Sequence, residues 1–390
     1  MLLSRCLLAA RYCLAACLCA AMQAESYLVV PFVNRTGDSN LDWVGESLSE
    51  SIRESLVESG ATVTSREDRE QAARKLSLKT SPHLTLASST KLGEALGCDR
   101  IIYGQFELKP DPLQTNGQGR GMLSAVARVM DRKSVARIQE LSIAGPLEQL
   151  GTTRVELGWS VLRWAQPGNG VSIDEFRKKN PPVRITALES YSRGLMATTP
   201  EQKHWFFAQA VRHEPGFEHP AYYLGRIQYE KENYREAAKW LRKVGPGHPS
   251  YLDASFLLGL SEYELSEFEA ARESFERVAR NAPSAEVWNN LGAALARLEN
   301  PEAVATLEKA LAGDPSDPDY HFNLGYLLWQ RGHYEGCAER FRAVLDRSAG
   351  DEDATLLLGH CLQQTGPRAG DFRTADLERL KETFEKQPAR

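Results

Sequence analysis

Leu291-Gly292-Ala293-Ala294 and Leu324-Gly325-Tyr326-Leu327 begin 33 residues apart, in a stretch that repeats itself and decides the fold. Periods of this size are typical of stacked helical hairpins, in which Gly and Ala let two helices approach closely and large apolar residues fill the space beside them. The sequence therefore predicts an all-α solenoid, an architecture that offers a surface for partners. The Leu-Gly pair recurs with spacings of 34, 33, 33 and 34 residues at Leu224-Gly225, Leu258-Gly259, Leu291-Gly292, Leu324-Gly325 and Leu358-Gly359.

Each copy carries further residues at the same offsets, and in these the stretch resembles the tetratricopeptide repeat. A weaker copy precedes the first clear one, and a fifth clear copy begins at Leu358-Gly359 and gives way to a polar helix, Thr374 to Lys386, expected to cap the stack. We predict a superhelix over 183–390 with about five repeats plus the capping helix. The second copy shows the offsets: Leu258-Gly259, Tyr263, Phe268, Ala271, Phe275, Val278 and Pro283.

Residues 1–24 resemble a secretory signal peptide, because Arg5 and Arg11 precede a short apolar run that ends in small residues. The run is too short to cross a bilayer, which takes about 20 apolar residues. Leu14-Ala15-Ala16-Cys17 also matches a bacterial lipobox, so lipidation of Cys17 is an alternative to ordinary cleavage. We expect an exported, periplasmic protein, attached to a membrane only if Cys17 is lipidated.

Length and composition suit two folded parts: the chain has 390 residues, 42% of them hydrophobic and 25% charged. Loss of the leader takes the formal net charge from −5 to −7, and no basic stripe is present, which argues against nucleic acid as a partner. Cys98, Cys337 and Cys361 then remain. They are too few and too widely spaced for a disulfide framework or a metal knuckle, so we expect small buried apolar side chains.

Residues 25–165 have a different pattern, which predicts an α/β domain with helices packed on a sheet. Five strands and four helices are expected there, and the Pro- and Gly-bearing stretch 166–182 is predicted to link this domain to the solenoid. Strands are predicted at 27–33, 61–65, 101–108, 122–130 and 135–143, and helices at 43–60, 67–76, 86–96 and 147–164.

Short motifs in this domain resemble the TolB amino-terminal-like domain, a relative of the CsgG and FlgO envelope domains. The resemblance implies an α/β module of bacterial envelope proteins with interaction or assembly roles and no known catalytic centre. The motifs are Val30-Pro31-Phe32-Val33-Asn34, Asp42-Trp43-Val44-Gly45-Glu46-Ser47-Leu48, Thr64-Ser65-Arg66, Leu96-Gly97-Cys98-Asp99 and Ile102-Tyr103-Gly104.

Sequence motifs for catalysis are missing, including nucleophile elbows, zinc-protease helices, Walker loops and kinase signatures. His213 and His219 are separated by Pro215 and Gly216, which does not place both rings on one helical face. Gly117, Gly119 and Gly121 precede a predicted strand rather than a helix, which favours a hairpin tip over a phosphate loop. We therefore predict a protein that is not an enzyme and has no cofactor and no metal site.

A partner is expected in the concave groove, because the first helix of each repeat lines that side of a solenoid. Aromatic rings supply contact area, and amides and guanidinium groups hold a peptide backbone or a carboxylate. About half of this aromatic stripe is also explained by packing between repeats, and a clamp for a terminal carboxylate is disfavoured because matching lysines are absent. The predicted groove residues are Tyr222, Arg226, Tyr229, Phe256, Tyr263, Asn289, Arg297, Phe322, Tyr326 and Trp329.

The sequence as a whole predicts a non-catalytic scaffold or adaptor of the bacterial cell envelope that binds a protein or peptide in the groove. Two alternatives involve the amino-terminal domain, which could sense a small ligand or assemble the protein into a homo-oligomeric ring.

Overall fold

The computed structural model describes residues 25–78, 84–109, 121–368 and 373–384. They divide into an amino-terminal unit that ends at Ile185 and a carboxyl-terminal unit that begins at Thr186. The leader, with Cys17, and the predicted hairpin tip at Gly117 and Gly119 lie outside the described residues. Within those residues, no helix combines the length and the apolar character needed to cross a bilayer.

A mixed six-stranded sheet forms the centre of the amino-terminal unit. The strands are β1 (Ser26–Val29), β2 (Val33–Asn34), β3 (Thr62–Val63), β4 (Arg100–Lys109), β5 (Met122–Asp131) and β6 (Arg137–Pro146). The strand order is β3-β1-β4-β5-β6, with β2 also paired to β4. β1 pairs in parallel with β3 and with β4, β2 pairs in parallel with β4, and β4, β5 and β6 form an antiparallel meander. The predicted strand 27–33 is interrupted at Pro31, which has no N–H to donate.

Helices pack on this sheet, which confirms the predicted α/β class. The helices are α1 (Asp42–Glu58), α2 (Arg66–Lys75), α3 (Leu86–Ala95), α4 (Leu150–Ala165) and α5 (Ile173–Lys179). Ala73 of α2 and Leu92 of α3 share a core with Leu28 and Ile101 of the sheet. The stretch 166–182 contains α5, whose Phe176 packs on α4, so much of this stretch is folded into the amino-terminal unit.

Helical hairpins stack through the carboxyl-terminal unit, and this confirms the all-α solenoid. The helices are α6 (Ile185–Met196), α7 (Pro200–His213), α8 (Glu218–Glu230), α9 (Tyr234–Leu241), α10 (Tyr251–Glu264), α11 (Phe268–Asn281), α12 (Ala285–Arg297), α13 (Ala303–Gly313), α14 (Pro318–Gln330), α15 (Tyr334–Arg347) and α16 (Glu352–Leu362). Between residues 185 and 368 they form five hairpins, followed by α16 without a second helix of its own. The weaker first copy is the hairpin α6–α7.

In each complete hairpin, the glycine of the Leu-Gly pair faces the second helix of that hairpin. A Cβ atom on Gly259 would lie 2.7 Å from Cε1 of Phe275, and one on Gly292 would lie 2.6 Å from Cγ of Leu307. Around Gly359 nothing lies within 4 Å of the same position, and in the described residues no second helix follows α16 to complete a hairpin. The close approach of the helices therefore explains the glycine in the complete hairpins and does not explain it in α16.

This difference predicts opposite effects for the same substitution. Gly259→Ala forces Phe275 to move, and we expect the free energy of unfolding to fall by about 1–3 kcal/mol, as for overpacked cores. Gly359→Ala only improves helix propensity and should raise that free energy by up to about 1 kcal/mol. Urea unfolding followed by far-ultraviolet circular dichroism measures both. A shift in the same direction for the two variants would contradict this account of the packing.

A disulfide joins Cys337 of α15 to Cys361 of α16, whose Cα atoms are 6.1 Å apart. All three cysteines of the two folded units are buried as expected, and Cys98 is free. The expectation that Cys337 and Cys361 are merely apolar side chains was wrong. Cys337 takes the position that alanine has in other copies, where the second helix of one repeat meets the first helix of the next. Only this nesting brings together two cysteines that are 24 residues apart.

The end of the chain differs most from its prediction. Residues 373–384, which we call the tail, contain no helix, so the expected capping helix from Thr374 to Lys386 is wrong over the described part of that range. The tail lies along the first helices of the later repeats and uses its backbone hydrogen-bonding groups there. It caps nothing and instead occupies the groove.

Candidate partner-binding groove

The groove is the face formed by the first helices α10, α12 and α14 and by α16, and the tail lies in it. Asn290 on α12 and Asn323 on α14 are 33 residues apart, directly before the Leu-Gly pair of successive repeats. Both are almost completely buried, with exposed fractions of 0% and 2%. Since buried amides are almost always hydrogen-bonded, their partners reveal what the groove binds.

Those partners are backbone groups of the tail. The Nδ2 atom of Asn323 donates to the carbonyl of Arg379 and its Oδ1 accepts from the N–H of Arg379, both at 2.8 Å. Asn290 makes the same two hydrogen bonds with Lys381, again at 2.8 Å. In an extended chain, residues i and i+2 present their N–H and C=O groups to the same side. The two asparagines thus hold the tail as a neighbouring strand would.

Asn289 connects the two pairs. Its Nδ2 donates to the carbonyl of Arg379 at 2.8 Å, and its Oδ1 accepts from Nδ2 of Asn323 at 2.8 Å. Its Nδ2 also lies 3.2 Å from Oδ1 of Asn290. A network in which each member is satisfied fixes the orientation of all three amides. The groove therefore holds its asparagine amides in the orientation that binds an extended backbone in one register.

Two cations of the tail, Arg379 and Lys381, enter acidic sites. Arg379 binds both carboxylate oxygens of Asp351 at 2.7 and 2.9 Å, and its guanidinium lies 3.5 Å from the centre of the Phe322 ring. Lys381 contacts Asp317 at 2.7 Å and Asp319 at 2.6 Å. The hydrogen bond from Arg379 lowers the pKa of Asp351. Burial works against a charged lysine, but the hydrogen bonds to the two aspartates raise the pKa of Lys381.

The preceding part of the tail is acidic and meets Arg297 of α12. Asp376 forms an ion pair with Arg297, and an oxygen of Glu378 lies 3.5 Å from the same guanidinium. Burial raises the pKa of Glu378. Tyr326 donates its hydroxyl hydrogen to the carbonyl of Thr374 at 2.7 Å, and burial together with the Glu378 carboxylate raises the pKa of Tyr326 to about 12.

Apolar side chains complete the contact. Leu380 and Phe384 pack on the core formed by the middle repeats, and Leu377 packs on the core formed by the last hairpin and α16. The ring of Phe384 lies 4.8 Å from that of Phe256 on α10, centre to centre. The tail thus combines backbone pairing, two cation sites and apolar anchors across three repeats and α16.

The structure distributes the predicted groove residues over several environments. Phe256, Asn289, Arg297, Phe322 and Tyr326 contact the tail directly. Tyr229 and Tyr263 line a cavity that Leu380 and Glu382 of the tail also border.

The other three predicted residues lie elsewhere. Trp329 is buried and donates its Nε1–H to the carbonyl of Thr365 at 2.7 Å, so it belongs to the core of the last hairpin. Arg226 pairs with Glu230 of its own helix, and the Tyr222 ring packs against Tyr223 and His248.

Sequence reasoning missed the carboxylates Asp317, Asp319 and Asp351 and did not assign Asn290 and Asn323 to the groove. One signal was available for the asparagines, because they occupy the same position in consecutive repeats. The aspartates lie at the starts of α14 and α16, where acidic residues are ordinary helix caps, so nothing in the sequence set them apart.

Other candidate sites are less developed. A cleft of about 510 Å³ in the amino-terminal unit is lined by residues that include Thr64, Ser65, Asp68 and Leu76. In the described parts of the chain, no three His, Cys, Asp or Glu side chains are grouped so that they could hold a metal ion. His219 packs against the rings of Tyr191, Phe217 and His248.

Comparison with known proteins agrees with the repeats. The tetratricopeptide repeat family model matches residues 256–318 and 293–352, and no curated protein matches the chain. The carboxyl-terminal unit carries tetratricopeptide repeats, and repeats of this kind generally act as non-catalytic scaffolds that bind proteins or peptides. The repeats therefore support an interaction scaffold.

The chain is also similar to parts of solved structures, three of which are given below. MamA residues 41 to the end from Desulfovibrio magneticus RS-1 is 24% identical, over 43% of this chain and 95% of that one, with a TM-score of 0.38. YrrB, described as a TPR protein with an unusual peptide-binding site, is 19% identical over 43% and 87%, with a TM-score of 0.35. The LpoB carboxyl-terminal domain from Salmonella enterica is 17% identical over 33% and 87%, with a TM-score of 0.25. The TolB-like resemblance stays a prediction.

Proposed function

We propose that this protein is a non-catalytic adaptor of the bacterial cell envelope that holds a partner protein by an extended segment in the groove. The observation that carries the proposal is the pairing of Asn290 and Asn323 with the backbone of Arg379 and Lys381. Side chains that bind a backbone in this way accept any extended segment that fits the neighbouring sites. The tail is the segment that occupies them here.

The exported location is part of the same proposal. The Cys337–Cys361 disulfide supports it, since disulfides persist in oxidising compartments such as the periplasm and are rare in the cytosol. The leader-like residues 1–24 point the same way. In this scheme the amino-terminal unit engages a second envelope component while the groove holds the first.

A second candidate function rests on the cleft beside β3 in the amino-terminal unit. Its mixed lining, with Leu76 and Ala72 beside Ser65 and Asp68, would suit a small polar molecule with an apolar part. Thermal unfolding in the presence of envelope metabolites tests this function, because a ligand that binds only the folded protein raises the melting temperature.

The groove is tested with the full chain and a labelled peptide. The variant R379P/K381P removes both tail N–H groups that donate hydrogen bonds to the asparagine Oδ1 atoms, so the tail leaves the groove. A fluorescein-labelled peptide with the sequence of residues 373–384 should then bind this variant, measured by fluorescence anisotropy. It should bind the wild type much more weakly, because the tethered tail competes at an effective concentration in the millimolar range.

Two controls make the result specific. Adding N290A/N323A to the variant should abolish binding of the peptide, whereas adding Asn281→Ala should not, since Asn281 is exposed and hydrogen-bonds within α11. Failure of the peptide to bind the tail-release variant, with circular dichroism showing an intact solenoid, would overturn the proposed function.

A further inference from the structure

We infer that the partner presents an extended segment with two cationic residues separated by one residue, an Arg-x-Lys arrangement, and that the tail is its built-in competitor. This inference rests on the proposed function and adds the chemical class of the partner. It follows from the parts of the groove that select side chains.

The asparagine contacts cannot select a sequence. Asn290 and Asn323 bind N–H and C=O groups, which every residue except proline presents in the same way. They do fix the register of the bound segment, because Asn323 binds the backbone of one residue and Asn290 binds the backbone of the residue two positions later. The side chains at those two positions are therefore held at fixed places in the groove.

Both positions face carboxylates. Asp351 meets the first, and Asp317 with Asp319 meets the second. The exposed fractions of these three side chains are 12%, 19% and 29%, so they are partly removed from water. Carboxylates at such sites repel each other and lose part of their hydration, and both effects cost free energy. A cation from the bound segment offsets both of these costs. A neutral segment would leave that cost in place.

Aromatic rings reinforce the preference for cations. The guanidinium of Arg379 lies over Phe322, and Nζ of Lys381 lies 5.1 Å from the centre of the Tyr320 ring. Each cation therefore has a carboxylate and a ring face as partners, two features that favour a positive group and disfavour an acidic one. The first position also has the geometry for a guanidinium, because Asp351 receives two parallel hydrogen bonds from Arg379.

The tail satisfies all of these sites, so a partner must displace it. Residues 363–372 connect α16 to the tail within the same chain, and such a short tether keeps the local concentration of the tail high. Free partner segments with the same chemistry compete with it directly. Binding of the partner therefore requires release of the tail, since both use the same sites.

Three labelled peptides added to full-length R379P/K381P test the inference. The first has the sequence of residues 373–384, the second has glutamine at both cationic positions, and the third exchanges Leu380 and Lys381 so that the cations are adjacent. We expect the second and third to bind at least tenfold more weakly than the first. We also expect the affinity of the first to fall as salt is raised, since ion pairs are screened.

The outcomes separate the two proposals. Equal affinity of all three peptides would overturn the inference about cations and leave the proposed function intact. Absence of binding by every peptide, with the solenoid folded, would overturn both. Light scattering gives the oligomeric state of the wild type and of R379P/K381P. A dimeric wild type and a monomeric variant would mean that the groove holds the tail of a second copy. The inference that the tail competes within its own chain would then be wrong.

Discussion

N290A/N323A should release the tail from the groove while leaving the solenoid folded. The double variant removes four hydrogen bonds to the backbone of Arg379 and Lys381. At about 1 kcal/mol for each net hydrogen bond, the docked tail loses about 2–5 kcal/mol, or a factor of roughly thirty to several thousand in its docking equilibrium. Hydrogen exchange of the amides of Arg379 and Lys381 measures this loss as reduced protection.

The matched control is Asn281→Ala, an asparagine at the end of α11 that does not contact the tail. It should leave the exchange of both amides unchanged, and circular dichroism should show the same helix content for all variants. Protection of Arg379 and Lys381 at the wild-type level in N290A/N323A would mean that the cation and apolar contacts alone hold the tail.

Removal of the disulfide should have the second large effect. C337A/C361A opens a covalent link that spans 24 residues, and the loop-closure model gives a loss of about 3 kcal/mol in the free energy of unfolding. Alanine is the matched replacement at 337, because other copies of the repeat have alanine there. The link ties α16 to the last hairpin, and Asp351 at the start of α16 holds Arg379, so docking of the tail should weaken as well.

Urea unfolding with and without a reductant measures the effect. Reductant should lower the unfolding midpoint of the wild type to about that of C337A/C361A and should leave the double variant unchanged. Equal midpoints for the oxidised and reduced wild type would show that the disulfide contributes nothing to stability.

Much of the solenoid could be predicted, because its determinants are local and periodic. Gly259 and Phe275 have the same relation as Gly292 and Leu307, and each pair lies within one hairpin. Most strands and helices of the amino-terminal unit were also predictable, apart from the interruption at Pro31 and helix α5. Alternation and helical spacing are properties of short stretches, which a sequence displays directly.

The tail could not be predicted for the opposite reason. Leu377, Leu380 and Phe384 have a spacing that suits one face of a helix, and taken alone the segment favours that form. The groove instead offers buried amides from residues about 56 and 91 positions away, which bind the backbone that a helix would have used for itself. The disulfide was hidden in the same way, because only the stacking of repeats brings Cys337 beside Cys361.

The two-residue spacing of the asparagine contacts has a mechanical consequence. A bound segment can change its register along α12 and α14 only by two residues at a time. A shift by a single residue would turn its N–H and C=O groups away from the amides of Asn290 and Asn323. If the tail shifted by two residues, Lys381 would meet Asp351 and Thr383 would take the place of the lysine. The carboxylates therefore select one register of the bound segment, and the asparagine amides restrict the possible registers to shifts of two residues.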